Sequence, residues 1–495
     1  MQIELSNERW SDEYFKQERE KALALWPTGK EVDLEEAIEF HLSLPDSKSF
    51  AKVVRKAKQE GRTLVQPRGG VALIEDHIKL LRHLQGEGCA DLLPTTTDTY
   101  TRNMKFEGAQ RGMEESKKAG RSMLNGLPVV NYGPKAVRRI VEAVDKPIIT
   151  LSGTPFPRLT SEVALAAGFT GYLGAGISYT CSYIKSMKLE DGIKNYQYLD
   201  RLCSYYAEHG VLIHREQPGF LTGTLIPPGI GVAVGVLEVL LAAGQGVRHY
   251  SVGLTQNLDI VQDVAGLRVY EEVCQHYLRK AGIDDMFISV ATHQWMQAFP
   301  PHEAEAFSVI VMGAMIAVLG GATQVITKTS HEAIGIPTME ANAYGARATR
   351  KAIDMMRKRR LPIDAEVKIE MEMIKKEAMA IVDKVLDLGD GDVAVGVVRG
   401  FEAGTIDIPW APNVHTHGAV IPVRDATGAI RYLRTGNLPF DKEILEYNNS
   451  KIKEREELIG AKVDYEVACF DIQEICRPCV DMEAAVNDLS HCMDA

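Results

Sequence analysis

Residues 286–328 read MFISVATHQWMQAFPPHEAEAFSVIVMGAMIAVLGGATQVITK. A β-branched and aromatic run, Met286–His293, stops at a polar and Pro-rich stretch. A longer apolar segment begins at Phe307 and is cut by Gly320-Gly321 before a second short run, Gln324–Lys328. From Phe307 to Ile326 the apolar residues are about as many as a membrane span needs, but the glycine pair divides them into a helix-length and a strand-length piece. The segment is therefore read as strand, buried helix and buried strand, which is the repeating unit of a parallel sheet.

The same unit recurs outward from it. Strand-like runs end in polar or Gly/Pro residues at Thr63–Arg68, Asp91–Thr96, Pro128–Tyr132, Pro147–Ser152, Gly168–Leu173, Val211–Arg215 and Tyr250–Leu254, with helix-like segments such as Glu75–Gln85 and Ala136–Val144 between most of them. Alternation over about 270 residues predicts an α/β fold that closes into a (β/α)8 TIM barrel rather than an open sheet. With the two runs already described there are nine candidates for eight places, so one is not a strand. The barrel is expected over 56–362, after an N-terminal helical segment over 1–55 and before a C-terminal helix and irregular α+β capping extension over 363–495. That extension opens with an amphipathic helix, about Asp364–Leu388, whose stripe is Ile374, Ala378, Ile381, Val385 and Leu386 and whose stop is Gly389.

A chain of 495 residues with 45% hydrophobic content has ample material for a large core. Its net charge of -11 supplies no basic excess for phosphate backbones, so nucleic acid is not an expected partner. The first residues, MQIELSNERWSDEYFKQERE, lack a secretory apolar region. The eight cysteines have no disulfide-like spacing, and a cytoplasmic, non-membrane protein is expected. Cys476-Arg-Pro-Cys479, with His491 and Cys492 nearby, reads either as a metal or redox pair or as ordinary tail cysteines.

No Gly-rich nucleotide loop, nucleophile elbow or HExxH site occurs, so chemistry has to come from residues scattered at the ends of the runs. Arg68, Thr97-Asp98, Asn131, His293 and Lys328 stand there, with Tyr179 just beyond, on the face where barrel active sites are built. Arg68 in VQPRGG and Arg102 in DTYTR are either a forked clamp for a carboxylate or surface salt-bridge arginines. Lys328 and Glu332, four apart, would form an ordinary ion pair if helical. Tyr179 and Tyr183 share that spacing and read as packing with satisfied hydroxyls. His293 beside Trp295 is a polar contact or a structural histidine. A metal-dependent lyase or isomerase would need Asp, Glu and His clustered at strand ends, and the runs do not supply them.

Ten segments, LWPTGKEVDLEEA, QPRGGVAL, TYTR, AGRSMLNG, SGTP, GISY, LTGTL, HQWMQAFP, KTSHEAIGIPTMEANA and RGFEAGTIDIPW, follow in order between Leu25 and Trp410. Together they resemble the epsilon component of glutamate mutase, or methylaspartate mutase, and the resemblance runs from about Trp10 to Tyr465. The resemblance implies a TIM barrel whose mouth meets a cobalamin-carrying partner and a radical isomerase that interconverts L-glutamate and threo-3-methylaspartate with adenosylcobalamin. It further implies a heterotetramer built on a homodimer of this chain. Arg68 and Arg102 match family arginines for substrate carboxylates, and Tyr179 and Tyr183 match its substrate-contacting tyrosines. Lys328 and Glu332 match contacts to the adenosine ribose; Gly70, Asn125, Ser182, His293, Phe299 and Ile336 match other cofactor positions.

Two positions depart. The family's third arginine is Leu151 here, followed by Ser152, and its ammonium-binding glutamate is Leu173. Leucine neither donates to a carboxylate nor accepts from an ammonium, and an ion buried against it is left unsolvated. The same radical chemistry on a smaller or less polar carboxylate is therefore one expectation. Compensation by His214 or Glu216 is a second, and a non-catalytic assembly barrel a third. No Asp-x-His-x-x-Gly occurs, so the cobalt ligand and a tight cobalamin site are expected on a small partner subunit.

Overall fold

In the computed structural model, which describes residues 5–220, 224–359 and 365–477, the eight expected strand positions form one parallel sheet. They are β1 (Leu64–Gln66), β2 (Leu93–Thr96), β3 (Ile148–Leu151), β4 (Gly171–Leu173), β5 (His214–Gln217), β6 (His249–Thr255), β7 (Phe287–His293) and β8 (Gln324–Ile326). Each strand pairs with the next in sequence from β2 to β8, and β8 returns to pair with β1 at Leu64↔Gln324. Between β1 and β2 the barrel closes through fewer contacts. Val65 O accepts from Asp91 N at 3.0 Å and Leu92 N at 3.3 Å, and Gly69 O accepts from Thr96 N at 2.8 Å.

The surplus run is Pro128–Tyr132. Only Leu127 extends the sheet, by an isolated bridge to Thr97; from Val129 the chain is helical as far as Glu142, with a kink at Gly133 (φ 75, ψ 167) before Pro134. A short buried apolar run has no period that separates strand from helix, and Val129 and Val130 are buried in either case. Asn131, expected at a strand end, instead lies in this helix and donates to Phe106 O at 2.9 Å.

The opening stretch forms helix Glu303–Leu319, Gly320, Gly321 at φ 75, and then β8. Among the described residues no helix is long and apolar enough to cross a membrane. At the barrel's N-terminal end, helix Phe50–Gln59 stacks Phe50 on His214, with ring centroids 4.5 Å apart.

Inside the barrel the alternation of strand residues places a polar layer where most such barrels pack branched apolar side chains. Glu216 of β5 accepts from Gln324 Nε2 at 2.8 Å and Gln66 Nε2 at 3.2 Å; Gln324 in turn accepts from Ser251 at 2.6 Å. Arg215 points outward to Asp200 and donates to Tyr172 O and Gly174 O, fixing the turn after β4.

Helix Ala365–Leu388 packs along the outer helices Pro228–Gly244 and Ile260–Lys280. The hairpin β9 (Val420–Arg424) and β10 (Ile430–Thr435) adds a buried cluster in which Arg431 pairs with Glu370 and Asp425. The loop before it reaches the barrel mouth, where Asn413 Nδ2 donates to Ile184 O at 2.6 Å and Met187 O at 3.1 Å. Cys479, His491 and Cys492 lie outside the described residues.

Candidate active site

The C-terminal ends of the strands bring the residues read from the sequence together. Arg68 follows β1, and its Nη1 donates to the Met296 sulfur at 3.9 Å. After β2, Asp98 caps a short helix by accepting from Tyr100 N at 2.8 Å and Thr101 N at 3.0 Å. That helix, Thr99–Arg102, delivers Arg102, whose Nε is buried without a hydrogen-bond partner. Among the described residues neither guanidinium lies within ion-pair distance of a carboxylate, which removes the surface salt-bridge reading. Burial pulls the affinity of Arg102 for its proton down, and the like charge of Arg68 adds to this.

The turn after β4 opens helix Gly176–Tyr183, which carries Tyr179, Ser182 and Tyr183. Tyr179 and Tyr183 meet edge to face with centroids 5.1 Å apart. Burial raises both phenols above their usual range; Arg68 opposes this for both, and Arg102 does so for Tyr183. The sequence reading of satisfied hydroxyls fails at Tyr179, whose buried oxygen has no partner. A buried donor left unpaired is costly in a folded core, and this one lies where Arg68 acts on the same phenol.

Leu151 and Leu173 end β3 and β4 and stand opposite each other in the ladder, 6% and 3% exposed. Ser152 is hydrogen-bonded to Thr97 at 2.9 Å. Leu173 is also in register with Glu216 on β5. The two compensating groups touch each other: His214 stacks on Phe50 and its Nε2 lies 3.4 Å from Glu216 Oε2, with Glu216 two residues nearer the mouth along β5. Burial pushes its carboxyl up to about 7, against the donors of Gln324 and Gln66.

Lys328 and Glu332 are paired, but not on a helix: Lys328 precedes the turn that follows β8 and Glu332 lies within it. Lys328 is 3% exposed, its Nζ lies 5.6 Å from the Phe299 ring centre, and burial pushes it down to about 8, with Glu332 opposing and Arg68 assisting. His293 ends β7, also buried, and burial with Arg68 and Lys328 holds it well below the usual histidine range.

Above these groups opens a cavity of about 430 Å³ lined by Arg68, Gly70, Asn125, Glu332 and Ile336 among others. Gly70 is needed there: a Cβ would stand 2.3 Å from Thr96 O. Asn125 braces the rim, its Oδ1 accepting from Thr99 N and Oγ1, each at 3.0 Å. Ile336 is 75% exposed at the lip and Ile334 67%. The site thus has an inner end that holds Arg102 and the tyrosines and an outer chamber, with Arg68 lining the chamber and acting electrostatically on Arg102 and on the tyrosines.

Sequence reasoning did not single out Gln66, Gln324, Glu238 or Asn413. Glu238 had a signal: it is the one charged residue of Pro228–Gly244, an otherwise apolar helix. The amides had none, because their importance arises only from strands that meet across the barrel.

Residues 44–479 match the family of methylaspartate mutase E chains. The chain is 46% identical over 473 residues to the glutamate mutase epsilon subunit of Desulfitobacterium hafniense (strain Y51), covering 96% of this chain and 98% of that one. Similar proteins of the same name are found in Treponema denticola, 45% identical over 95% of this chain and 97% of the relative, and in Yersinia enterocolitica, 46% identical over 96% and 98%. With a match of that extent, and with the barrel and its mouth as described, the chain belongs to the methylaspartate mutase E chain family.

Proposed function

We propose that this chain is the catalytic component of an adenosylcobalamin-dependent radical carbon-skeleton mutase of the glutamate mutase type. The observation that carries the reading is the convergence of two guanidinium groups without carboxylate partners, Arg68 and Arg102, on the tyrosines at the inner end of a chambered barrel mouth. Such a pair binds a carboxylate in forked geometry. The relatives' name, glutamate mutase epsilon subunit, supports the activity and implies further subunits. We extend both to this chain, as a homodimer that binds small cobalamin-carrying subunits in the cytoplasm.

The chamber residues fit the adenosyl part of that cofactor. Lys328 and Glu332 offer a donor and an acceptor to paired hydroxyls, Gly70 lets the chamber wall pack against the Thr96 backbone, and the exposed Ile334 and Ile336 present an apolar lip. The cofactor, when bound, supplies the radical chemistry that the protein side chains cannot. The chain's own residues do the rest. Arg68 and Arg102 hold the substrate's carboxylate, Tyr179 and Tyr183 orient it, and the buried walls exclude water.

Because no histidine follows an aspartate by two residues, the chain lacks the expected cobalt ligand. Gel filtration and visible spectra should show little cobalamin on the purified chain and stoichiometric cobalamin once a subunit bearing Asp-x-His-x-x-Gly is added. Stoichiometric binding by the chain alone would overturn the two-component reading.

Lys328 makes a second prediction. As pH rises through about 8 it loses its proton and the ion pair with Glu332. The kcat/KM of the reconstituted complex should therefore fall on that alkaline limb, and Lys328→Arg should move the limb out of range because a guanidinium does not titrate there. An alkaline limb that stays in place in Lys328→Arg assigns it to another group.

A second reading concerns the substrate. Leu151 and Leu173 line the inner end where a second carboxylate and an ammonium would need partners, which favours a less polar carboxylate than glutamate.

A further inference from the structure

Helix Gly176–Tyr183 carries the site's tyrosines but has no cap from its own sequence: Ala175 precedes it and offers no side-chain acceptor. The acceptor comes from another βα unit. Glu238 takes the N–H groups of Gly176 at 3.1 Å, Ile177 at 2.8 Å and Ser178 at 3.0 Å, and the Ser178 hydroxyl at 3.3 Å. It is 4% exposed, and among the described residues no cation is paired with it. A buried carboxylate in an apolar helix weakens a fold unless its hydrogen bonds are complete. Here three backbone donors and the positive end of the helix complete them.

The far end of the same helix is held as well. Asn413 Nδ2, from the C-terminal extension, faces the carbonyls of Thr180 at 3.3 Å and Ile184 at 2.6 Å, and Val414 N donates to Lys185 O at 2.9 Å. Along its side, Gly192 passes so close that a Cβ would stand 1.8 Å from the Thr180 hydroxyl. A helix gripped at both ends and along one flank has little freedom to turn or slide. Tyr179 lies one turn beyond the cap and Tyr183 two, so a small rotation at Gly176 moves both hydroxyls.

We propose that Glu238 is a positioning residue of the active site: as a detached N-cap it sets the placement of helix Gly176–Tyr183 and so aims Tyr179 and Tyr183 at the substrate beside Arg68 and Arg102. The inference rests on the proposed role of those tyrosines. The titratable groups facing Glu238 are Asp200 and Tyr196 of helix Leu189–Glu208, Tyr250 of β6, Tyr270 of helix Ile260–Lys280, and Cys181 of the capped helix. Asp200 is committed to Arg215. Burial pushes the Glu238 carboxyl up to about 7, Asp200 adds to this, and the three N–H donors oppose it. The grip on the helix therefore weakens as pH falls through that value and the carboxylate takes up a proton.

Hydrogen exchange read by mass spectrometry on the full chain, with kinetics of the reconstituted complex, tests this. In Glu238→Gln the amides of 174–184 should exchange at least about tenfold faster while other barrel segments keep their protection, and kcat/KM should fall by a similar factor with Tm little changed. Glu238→Asp should recover part of both. The unmodified protein provides a control without mutation: protection of Gly176–Ser178 should decline below pH 7 relative to other buried amides. Unchanged local exchange in the variants and no pH inflection in the parent would overturn the proposal. So would faster exchange with wild-type kcat and KM. If the unmodified complex shows no mutase turnover, the functional reading fails on its own, and the exchange data still decide whether Glu238 caps the helix.

Discussion

Arg68→Ala and Arg102→Ala should each lower kcat/KM by about 100- to 1,000-fold while leaving unfolding stability within about 1 kcal/mol of the parent. The asymmetry follows from the partners these groups lack. A salt-bridged buried arginine cannot be truncated without stranding its carboxylate, which costs about 3–5 kcal/mol of stability. Neither guanidinium here has a carboxylate to strand, and Arg102 Nε is already buried without a hydrogen bond. Removing Arg102 relieves its desolvation, and removing either relieves the repulsion between the two. When a carboxylate substrate is bound, the balance reverses, because the anion then loses one of its two forked partners in a site with little water. Steady-state kinetics of the reconstituted complex and urea unfolding of the chain read the two quantities separately. Loss of several kcal/mol of stability with unchanged kinetics would make these arginines structural and remove the proposed carboxylate clamp.

The barrel was legible because each βα unit carries its own local signal, and the strand ends then located the active face without further information. Pro128–Tyr132 shows the limit of that signal. Its valines are buried whether the backbone is extended or helical, and only the bridge of Leu127 to Thr97 and the kink at Gly133 decide between them. Lys328 and Glu332 were legible as a pair but not in their setting: four-residue spacing suggests a helix face, whereas the chain forms a turn that buries the lysine against Phe299. Of the inner polar layer of Gln66, Glu216, Ser251 and Gln324, only Glu216 stood out in the sequence, and its partners did not. The layer draws on four strands spread over some 260 residues of sequence, and nothing in the local pattern marks an inward glutamine from an outward one. Asn413 is hidden for the same reason, since its partners are backbone carbonyls more than 220 residues away.

The second large effect concerns substrate choice. Glutamate brings an ammonium and two carboxylates to the inner end of the mouth, where Leu151 and Leu173 face each other across the β3–β4 ladder. Each missing charge-assisted contact is worth roughly 1.5–3 kcal/mol, so two together should slow the reaction with glutamate by at least about a hundredfold relative to a carboxylate without those charges. Glu216 is in register with Leu173 on the neighbouring strand, but its oxygens already accept from Gln324 and Gln66, and burial raises its carboxyl to about 7. It is then only partly ionised at neutral pH and a poor substitute for a dedicated ammonium ligand. Leu173→Glu alone should not help, because two carboxyls in register on neighbouring strands repel and one stays protonated. Leu151→Arg with Leu173→Glu supplies the opposing charge and should raise glutamate turnover about tenfold, or roughly half of the missing contact energy. The assay is NMR of the reconstituted complex with glutamate and a panel of less polar carboxylates. Efficient turnover of glutamate by the unmodified protein, within about tenfold of the best carboxylate in the panel, would show that Glu216 meets the ammonium after all, and the less polar substrate would then be withdrawn.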